Sequence, residues 1–271
     1  MPDYFNPAFQ KCIRKIADFG FSSYFGIQVH GKDNVPKAGA AIFSFNHVHM
    51  LDSFIIGAKE PRISYAISKK EHFYPVLRSA LRGVGALPVN TKPEKHRFTE
   101  LTTNYGLLIP KRNHQAFLEE INSYLSEEEK LQDLSTLDYK LMSKYAMGKG
   151  EGLLSHLPGT RTNSYENIAK PKKGTARLAL QMQQEEGIIV SIIPGAIVYS
   201  KDNKPIITRK PLPPYKTRAD ISFGKPLTAA RQHQLYKQEP EAAVQQLTDI
   251  INEEVNNEVK NILRSLTPSR P

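Results

Sequence analysis

Short apolar runs rich in β-branched and aromatic residues alternate along this chain with segments of helical periodicity. That alternation limits the fold more than any other feature. FGIQVHG (25–31), AAIFSF (40–45), ISYAIS (63–68), ALPV (86–89), GLLSHL (152–157), GIIVSIIPG (187–195) and ADISFG (219–224) read as strands. Asn34, Pro36 and Gly39 mark a turn between the first two. KKEHFYPVLRSALR (69–82), with Pro75 as a kink or boundary, and GTARLALQMQQEE (174–186) read as helices. From Pro240 to Leu266, Val244, Leu247, Ile251, Val255, Val259, Ile262 and Leu266 form one unbroken apolar stripe, a C-terminal helix. Residues 8–24 space Phe9, Cys12, Ile13, Ile16 and Phe19 at helical intervals opposite Lys11, Arg14, Lys15 and Asp18. This amphipathic helix, within segment 1–24, either docks on the core or lies in a membrane interface. Strands interleaved with helices predict an α/β fold. The expectation is a single domain over 1–271, with a mixed, largely parallel central sheet flanked by helices. Residues 92–150, bounded by Pro93 and the Gly148/Gly150 pair, break the rhythm: from Lys92 to Gly150 they hold 9 basic and 9 acidic residues. A helical insertion or lid is expected there.

Composition narrows the function. An apolar fraction of 39% spread through 271 residues supplies a core and excludes disorder as the main state. No stretch reaches the roughly 18 apolar residues of a membrane span. A single cysteine, Cys12, excludes an internal disulfide framework and multi-cysteine zinc sites, and fits a reducing compartment. The N-terminus lacks a cationic stretch followed by an apolar core, so no secretory signal is read. The net charge of +10 calls for an anionic partner: nucleic acid, an anionic membrane or a phosphorylated substrate. With 92–150 neutral, the excess lies elsewhere. It gathers in Lys201–Arg218, at Lys170, Lys172, Lys173 and Arg177, and from Arg62 through Lys69, Lys70, Arg78 and Arg82. No nucleic-acid-binding motif accompanies it.

The strongest chemical signal is Asn46-His47-Val48-His49-Met50-Leu51-Asp52, between the strand AAIFSF and the helical SFIIGA. A histidine at the end of a buried strand stands where α/β ligand sites form. His47 and Asp52 point about 140° apart on a continuous helix, so they meet only if the chain turns between them. A carboxylate on one imidazole nitrogen orients the ring and leaves the other to take a proton from a hydroxyl. The chain has no G-x-S-x-G elbow and no evident nucleophile. The attacking hydroxyl then belongs to a substrate, as in direct acyl transfer to an alcohol. Two other readings stay open: a structural histidine with a capping aspartate, and a metal-dependent hydrolase using His47, His49 and Asp52. Leu157-Pro158-Gly159-Thr160-Arg161-Thr162, after GLLSHL, is a candidate phosphate site, with turn amides, a hydroxyl and a guanidinium fork.

Taken in order, these segments resemble the glycerolipid acyltransferase family of 1-acylglycerol-3-phosphate and lysophospholipid acyltransferases. Asn46-His47-x4-Asp52 is similar to its N-H-x4-D block, and Arg82-Gly83-Val84-Gly85-Ala86-Leu87-Pro88-Val89 to its second block. Gly159-Thr160-Arg161 resembles the end of its F-P-E-G-T-R block, and Ile189 to Pro194 its apolar-proline block. Lys172 to Ala176 and Ser222 to Leu227 also look like family segments, and the likeness covers roughly 25–230. The chain departs from the pattern twice. Pro158 stands where the third block has glutamate, and Asn90-Thr91 where a basic residue follows the second, with Lys92 next in line. The resemblance implies His47 as general base and Asp52 as its orienting partner. It implies Asn46, Gly159, Thr160, Arg161, Lys92 and Lys173 as substrate-binding residues. It also implies acyl-CoA or acyl carrier protein as donor, a lysophospholipid or glycerol-phosphate-like acceptor, and no metal or cofactor. The expected setting is cytoplasmic and peripheral to an anionic membrane surface, without nucleic acid. The alternative within the family is a lipid-binding relative with little or no transferase activity.

Overall fold

The computed structural model describes residues 7–62, 64–69, 86–89, 113–134, 137–166 and 170–267. The strands are β1 (Gly26–His30), β2 (Ala41–Phe45), β3 (Ser64–Lys69), β4 (Ala86–Val89), β5 (Gly152–His156), β6 (Ser191–Lys201), β7 (Lys204–Pro205), β8 (Arg218–Phe223) and β9 (Leu227–Thr228). The helices are α1 (Pro7–Tyr24), α2 (Asp52–Lys59), α3 (His114–Asn122), α4 (Tyr139–Gly148), α5 (Gly174–Glu185), α6 (Ala230–Tyr236) and α7 (Pro240–Leu266).

Among the described residues the strands form one sheet in the order β1-β8-β6-β2-β5-β3-β4, with β7 and β9 pairing β6. β2 runs parallel to both β5 and β6, and β3 parallel to β5 and β4. β6 and β8 are antiparallel. The sheet is therefore mixed and largely parallel, within an α/β single domain.

Every side chain of β2 is buried, and they alternate between the two faces. Ile42 joins one core cluster, while Ala41, Phe43 and Phe45 join the other. A strand covered on both faces reads as a continuous apolar run, as AAIFSF does. The first cluster packs α3, α4, α5 and the first part of α7 on one face. The second packs α2 on the opposite face, together with Val259, Ile262 and Leu266 of α7. The crossover from β2 goes through α2 to β3, on the β5 side. The crossover from β5 goes through α5 to β6, on the β2 side. Right-handed crossovers that travel in opposite directions must use opposite faces, and α2 and α5 do so. The carboxyl ends of neighbouring β2 and β5 therefore border a crevice, the switch point at which α/β sheets bind ligands.

The helix expected over 69–82 lies outside the described residues, except for its first position. The strand expected over 187–195 begins only at Ser191 and continues to Lys201. Gly187, at φ 66°, ends α5, and the Ile188 N–H returns to Met182 O, so 187–190 close a helix instead of extending a strand. Asp202 and Asn203, at φ 53° and 59°, then turn β6 into β7. The described part of the 92–150 segment is helical but does not stand over the sheet as a lid. Phe117, Ile121, Met142, Tyr145 and Ala146 are fully buried in the first cluster. Arg62, read as part of a basic surface, instead donates to the carbonyls of Pro36, Gly39 and Gly150 and staples three turns together.

One ion cluster ties α4 to the rest. Lys144, 2% exposed, meets Glu129, Glu185 and Glu186 at 2.7–2.8 Å. Two of these carboxylates sit at the carboxyl end of α5, where the helix dipole disfavours them and a cation is required. Burial alone would lower the Lys144 pKa, but the hydrogen bonds it donates to the three glutamates raise it well above normal. Burial works against the charged forms of Glu129 and Glu185 as well, yet Lys144 holds both below the usual carboxylate range. Lys144→Met is expected to cost about 2 kcal/mol, discounted for the partly exposed glutamates. Depressed carboxylates stabilise the fold above their unfolded pKa and lose that contribution as pH falls through the folded value. Thermal melts from neutral to about pH 3 are expected to fall more steeply in wild type than in Lys144→Met.

A histidine–aspartate pair at the carboxyl end of the second strand

The site begins where β2 ends. Asn46 is fully buried, and its amide takes over the sheet ladder: Nδ2 donates to Ile197 O at 3.0 Å, and Oδ1 accepts from Ile197 N–H at 2.8 Å. With Ile197 satisfied by a side chain, the backbone is released to turn at His47. Asn46, expected to bind substrate, has both ends of its amide committed to β6. No side chain fits at Gly195 beneath this junction, because a Cβ there would lie 2.3 Å from the Phe45 ring.

The turn brings His47 back onto Asp52, the first residue of α2. His47 Nδ1 donates to Asp52 Oδ2 at 2.8 Å. The same oxygen accepts the amides of Val48 and His49 at 2.7 and 2.9 Å. The other, Oδ1, accepts the Tyr199 hydroxyl at 2.8 Å. Asp52 is fully buried, and burial alone would raise its pKa. The hydrogen bond and charge of His47 and the His49 amide outweigh burial and hold it below the ordinary carboxylate value. The Tyr199 hydroxyl is pushed well above its normal pKa by burial and by the Asp52 charge, so it remains a donor. The Tyr165 hydroxyl accepts from Tyr199 N–H at 2.8 Å and donates to Ile206 O at 3.1 Å, securing that stretch of β6.

His47 is 19% exposed. With the proton on Nδ1, Nε2 carries the lone pair, and no hydrogen-bond partner meets it among the described residues. His49 is different. Its Nε2 donates to Lys210 O at 2.7 Å, and its Nδ1 accepts from Leu51 N–H at 3.2 Å. Both nitrogens are used by the backbone, so His47, His49 and Asp52 do not assemble as a ligand set. Among the described residues no group of three His, Cys, Asp or Glu is placed to hold a metal ion.

The Gly159-Thr160-Arg161 turn lies against the same loop. Thr162 N–H donates to His47 O at 2.7 Å, and Leu157 N–H to Phe45 O at 2.9 Å. Gly159 takes φ 66°, and Lys172 Cγ lies 3.2 Å from where its Cβ would be. Thr160 and Arg161 are exposed beside the crevice. Arg209 donates to Arg161 O at 3.3 Å and also reaches Asn163 Oδ1, drawing the basic 201–218 segment to this turn. Lys173 points elsewhere, pairing with Glu241 at 3.6 Å. Lys92 lies outside the described residues. Sequence reading missed three members of the site: Tyr199, His156 and Ser53. His156 carried one signal, a polar residue closing the buried run GLLSH.

The site is thus a strand-end imidazole backed by a buried carboxylate that accepts four hydrogen bonds. A family model described as acyltransferase matches residues 26–198, and the chain belongs to that family. The fold is also that of a solved structure, the 1-acyl-sn-glycerophosphate (LPA) acyltransferase PlsC from Thermotoga maritima. The TM-score is 0.55 at 17% identity, covering 96% of this chain and 81% of that one. No curated protein matches the chain.

Asn46→Ala strands the N–H and C=O of Ile197 in the core. Chemical denaturation is expected to show a loss of about 2–3 kcal/mol, with Asn46→Asp recovering only the N–H bond.

Proposed function

We propose that the protein is a glycerolipid acyltransferase that moves a fatty acyl group from a thioester to the hydroxyl of a lysophospholipid or glycerol-phosphate-like acceptor. The observation that carries this is the His47–Asp52 contact, with Asp52 buried and saturated by donors and His47 partly exposed, its Nε2 without a hydrogen-bond partner among the described residues. His47 Nε2 takes the acceptor's hydroxyl proton as the oxygen attacks the thioester carbonyl. The carbon–sulfur bond then breaks, the ester is formed, and the thiolate leaves with the proton from the imidazolium. The fixed Asp52 charge stabilises that imidazolium and holds the tautomer that leaves Nε2 basic. The donor is acyl-CoA or acyl carrier protein, with no further cofactor. Gly159, Thr160 and Arg161 stand where an acceptor phosphate is held, and Lys92 is proposed to join them.

The reaction is placed at a membrane surface. Among the described residues no helix is long and apolar enough to cross a membrane. Phe19 on α1, Phe54 on α2, and Leu212 and Tyr215 before β8 are exposed at 78%, 48%, 54% and 58%. Tyr24 joins α1 to the last of these, donating to Pro213 O at 2.8 Å and packing edge-on to Tyr215. Lys11 and Lys15 are exposed on α1 and Lys216 follows Tyr215, exposed cations in the same segments that suit anionic headgroups over acyl chains.

Lipid mass spectrometry with acyl-CoA and acyl carrier protein donors and a panel of lysophospholipids is expected to show product. That product is expected to fall by about 10³-fold in His47→Ala and in Asp52→Asn, which holds the wrong tautomer. Vesicle binding without product from any pair would instead indicate a lipid-binding relative, a reading that Pro158 in place of the family's glutamate keeps in view. Cosedimentation with anionic vesicles is expected to weaken at least about tenfold in Phe19→Glu/Phe54→Glu, from the apolar burial lost.

A further inference from the structure

His156 closes β5 and lies face to face with His47, ring centroids 4.1 Å apart and planes 18° from parallel. Both of its nitrogens are engaged. Nδ1 meets the backbone oxygen of Asn46 at 2.9 Å, and a carbonyl only accepts, so Nδ1 carries a proton. Nε2 meets Ser53 Oγ at 2.8 Å and, in the neutral ring, accepts the hydroxyl proton. His156 thereby joins the end of β5, the end of β2 and the first turn of α2. The last two supply Asn46, His47 and Asp52.

We propose that His156 is a positioning residue for His47: an uncharged imidazole, fixed at both nitrogens, whose face holds the His47 ring in the plane where its Nδ1–H meets Asp52. The assignment rests on the acyl-transfer reading of the site. A ring held by one hydrogen bond still pivots about it, and a rigid neighbour 4.1 Å away blocks that motion on one side. Misplacing a catalytic group by about 1 Å can cost 10²-fold in rate, so such a brace has kinetic weight. The stack also suits the charge that develops. When His47 accepts a proton, a neutral aromatic face favours the cation, whereas a second cation would repel it.

The ionisable groups that face His156 are His47 on its ring face and the Asp52 carboxylate on α2. Burial first, then the His47 charge, lower its pKa to about 3, against a smaller opposing pull from Asp52 and the Asn46 carbonyl. Ser53 and His156 have the spacing of a nucleophile and its base, but an activating base needs a partner that steadies its cation. His156 Nδ1 meets a backbone carbonyl, not a carboxylate, and burial disfavours its charged form, which weighs against that rival. The Ser53 hydroxyl is therefore assigned as the donor that completes the brace.

Nitrogen-15 NMR of histidine-labelled intact protein, with His156→Phe used to assign the resonance, reads the tautomer directly. Between about pH 5 and 9, where an ordinary histidine titrates, His156 is expected to stay neutral with its proton on Nδ1. Protonation in that window, or a proton on Nε2, overturns the proposal. In folded His156→Ala, kcat is expected to fall about 10–100-fold with KM within about twofold. The acid limb of the pH–rate profile is expected to move, and His156→Phe, which restores a flat face, is expected to recover part of the rate. Unchanged kcat and pH profile in His156→Ala overturn the proposal, as does an acyl group found on Ser53 by mass spectrometry. The spectrum separates the two ways of failing. Inactive wild type with His156 neutral and Nδ1-protonated removes the transferase reading, whereas active wild type with His156 protonated removes the positioning role.

Discussion

The buried carboxylate of Asp52 is the constraint on which the rest depends. A fully desolvated charge is costly unless it is paired and hydrogen-bonded. Here four donors meet it: one imidazole, two backbone amides and one phenol. They come from the turn after β2 and from the middle of β6. Meeting them forces the chain from Asn46 to Asp52 into a tight loop that cannot continue either β2 or α2. The geometry of the histidine–aspartate pair and the local backbone are thus one requirement. The same carboxylate that orients His47 also shapes the loop that carries it.

A loop of that shape must be released from the sheet, and Asn46 does this by giving its side-chain amide to Ile197 in place of a backbone ladder. Release alone does not fix the ring. Because the two crossovers leave β2 and β5 in opposite directions, the end of β5 stays uncovered next to His47. His156 and the Gly159 turn occupy that place, and both are bonded to the β2 terminus, through Asn46 O and His47 O. Residues more than a hundred positions apart therefore behave as one site. What joins them is the parallel register of β2 and β5, in which Phe45 stands opposite His156.

The sequence carried the parts of this that are local. AAIFSF showed a strand buried on both faces, the stripe from Val244 to Leu266 showed the last helix with its observed bounds, and Asn46-His47-x4-Asp52 showed the pair and the need for a turn. The rest required knowing which strands lie side by side. Tyr199 falls in a part of β6 that the sequence reading stopped short of, because Pro194 and Gly195 look like an end when they are interior to a strand. His156 looked like an isolated histidine until β5 was placed beside β2. Asn46 looked like a ligand-binding residue because polar side chains next to a catalytic histidine often are. Its commitment to Ile197 appears only when β6 is paired with β2.

The charge excess divides by the same logic. Several cations are consumed internally: Arg62 by three carbonyls, Lys144 by three glutamates, Arg218 by both oxygens of Asp220 at 2.6 Å. Arg62 and Lys144 hold junctions between elements, and Arg218 is paired within its own strand, so each charge is matched where it sits. A different set gathers where β2 and β5 end. Arg161 and Lys172 flank the glycine turn, and Arg209 and Lys210 are brought there by contacts with Arg161 and His49. These cations stand at the carboxyl ends of β2 and β5, beside the loop that carries His47. The charge that is not consumed at junctions and the histidine–aspartate pair therefore share one end of the sheet, because the same parallel register that brings β5 beside β2 also brings the Gly159 turn against the His47 loop.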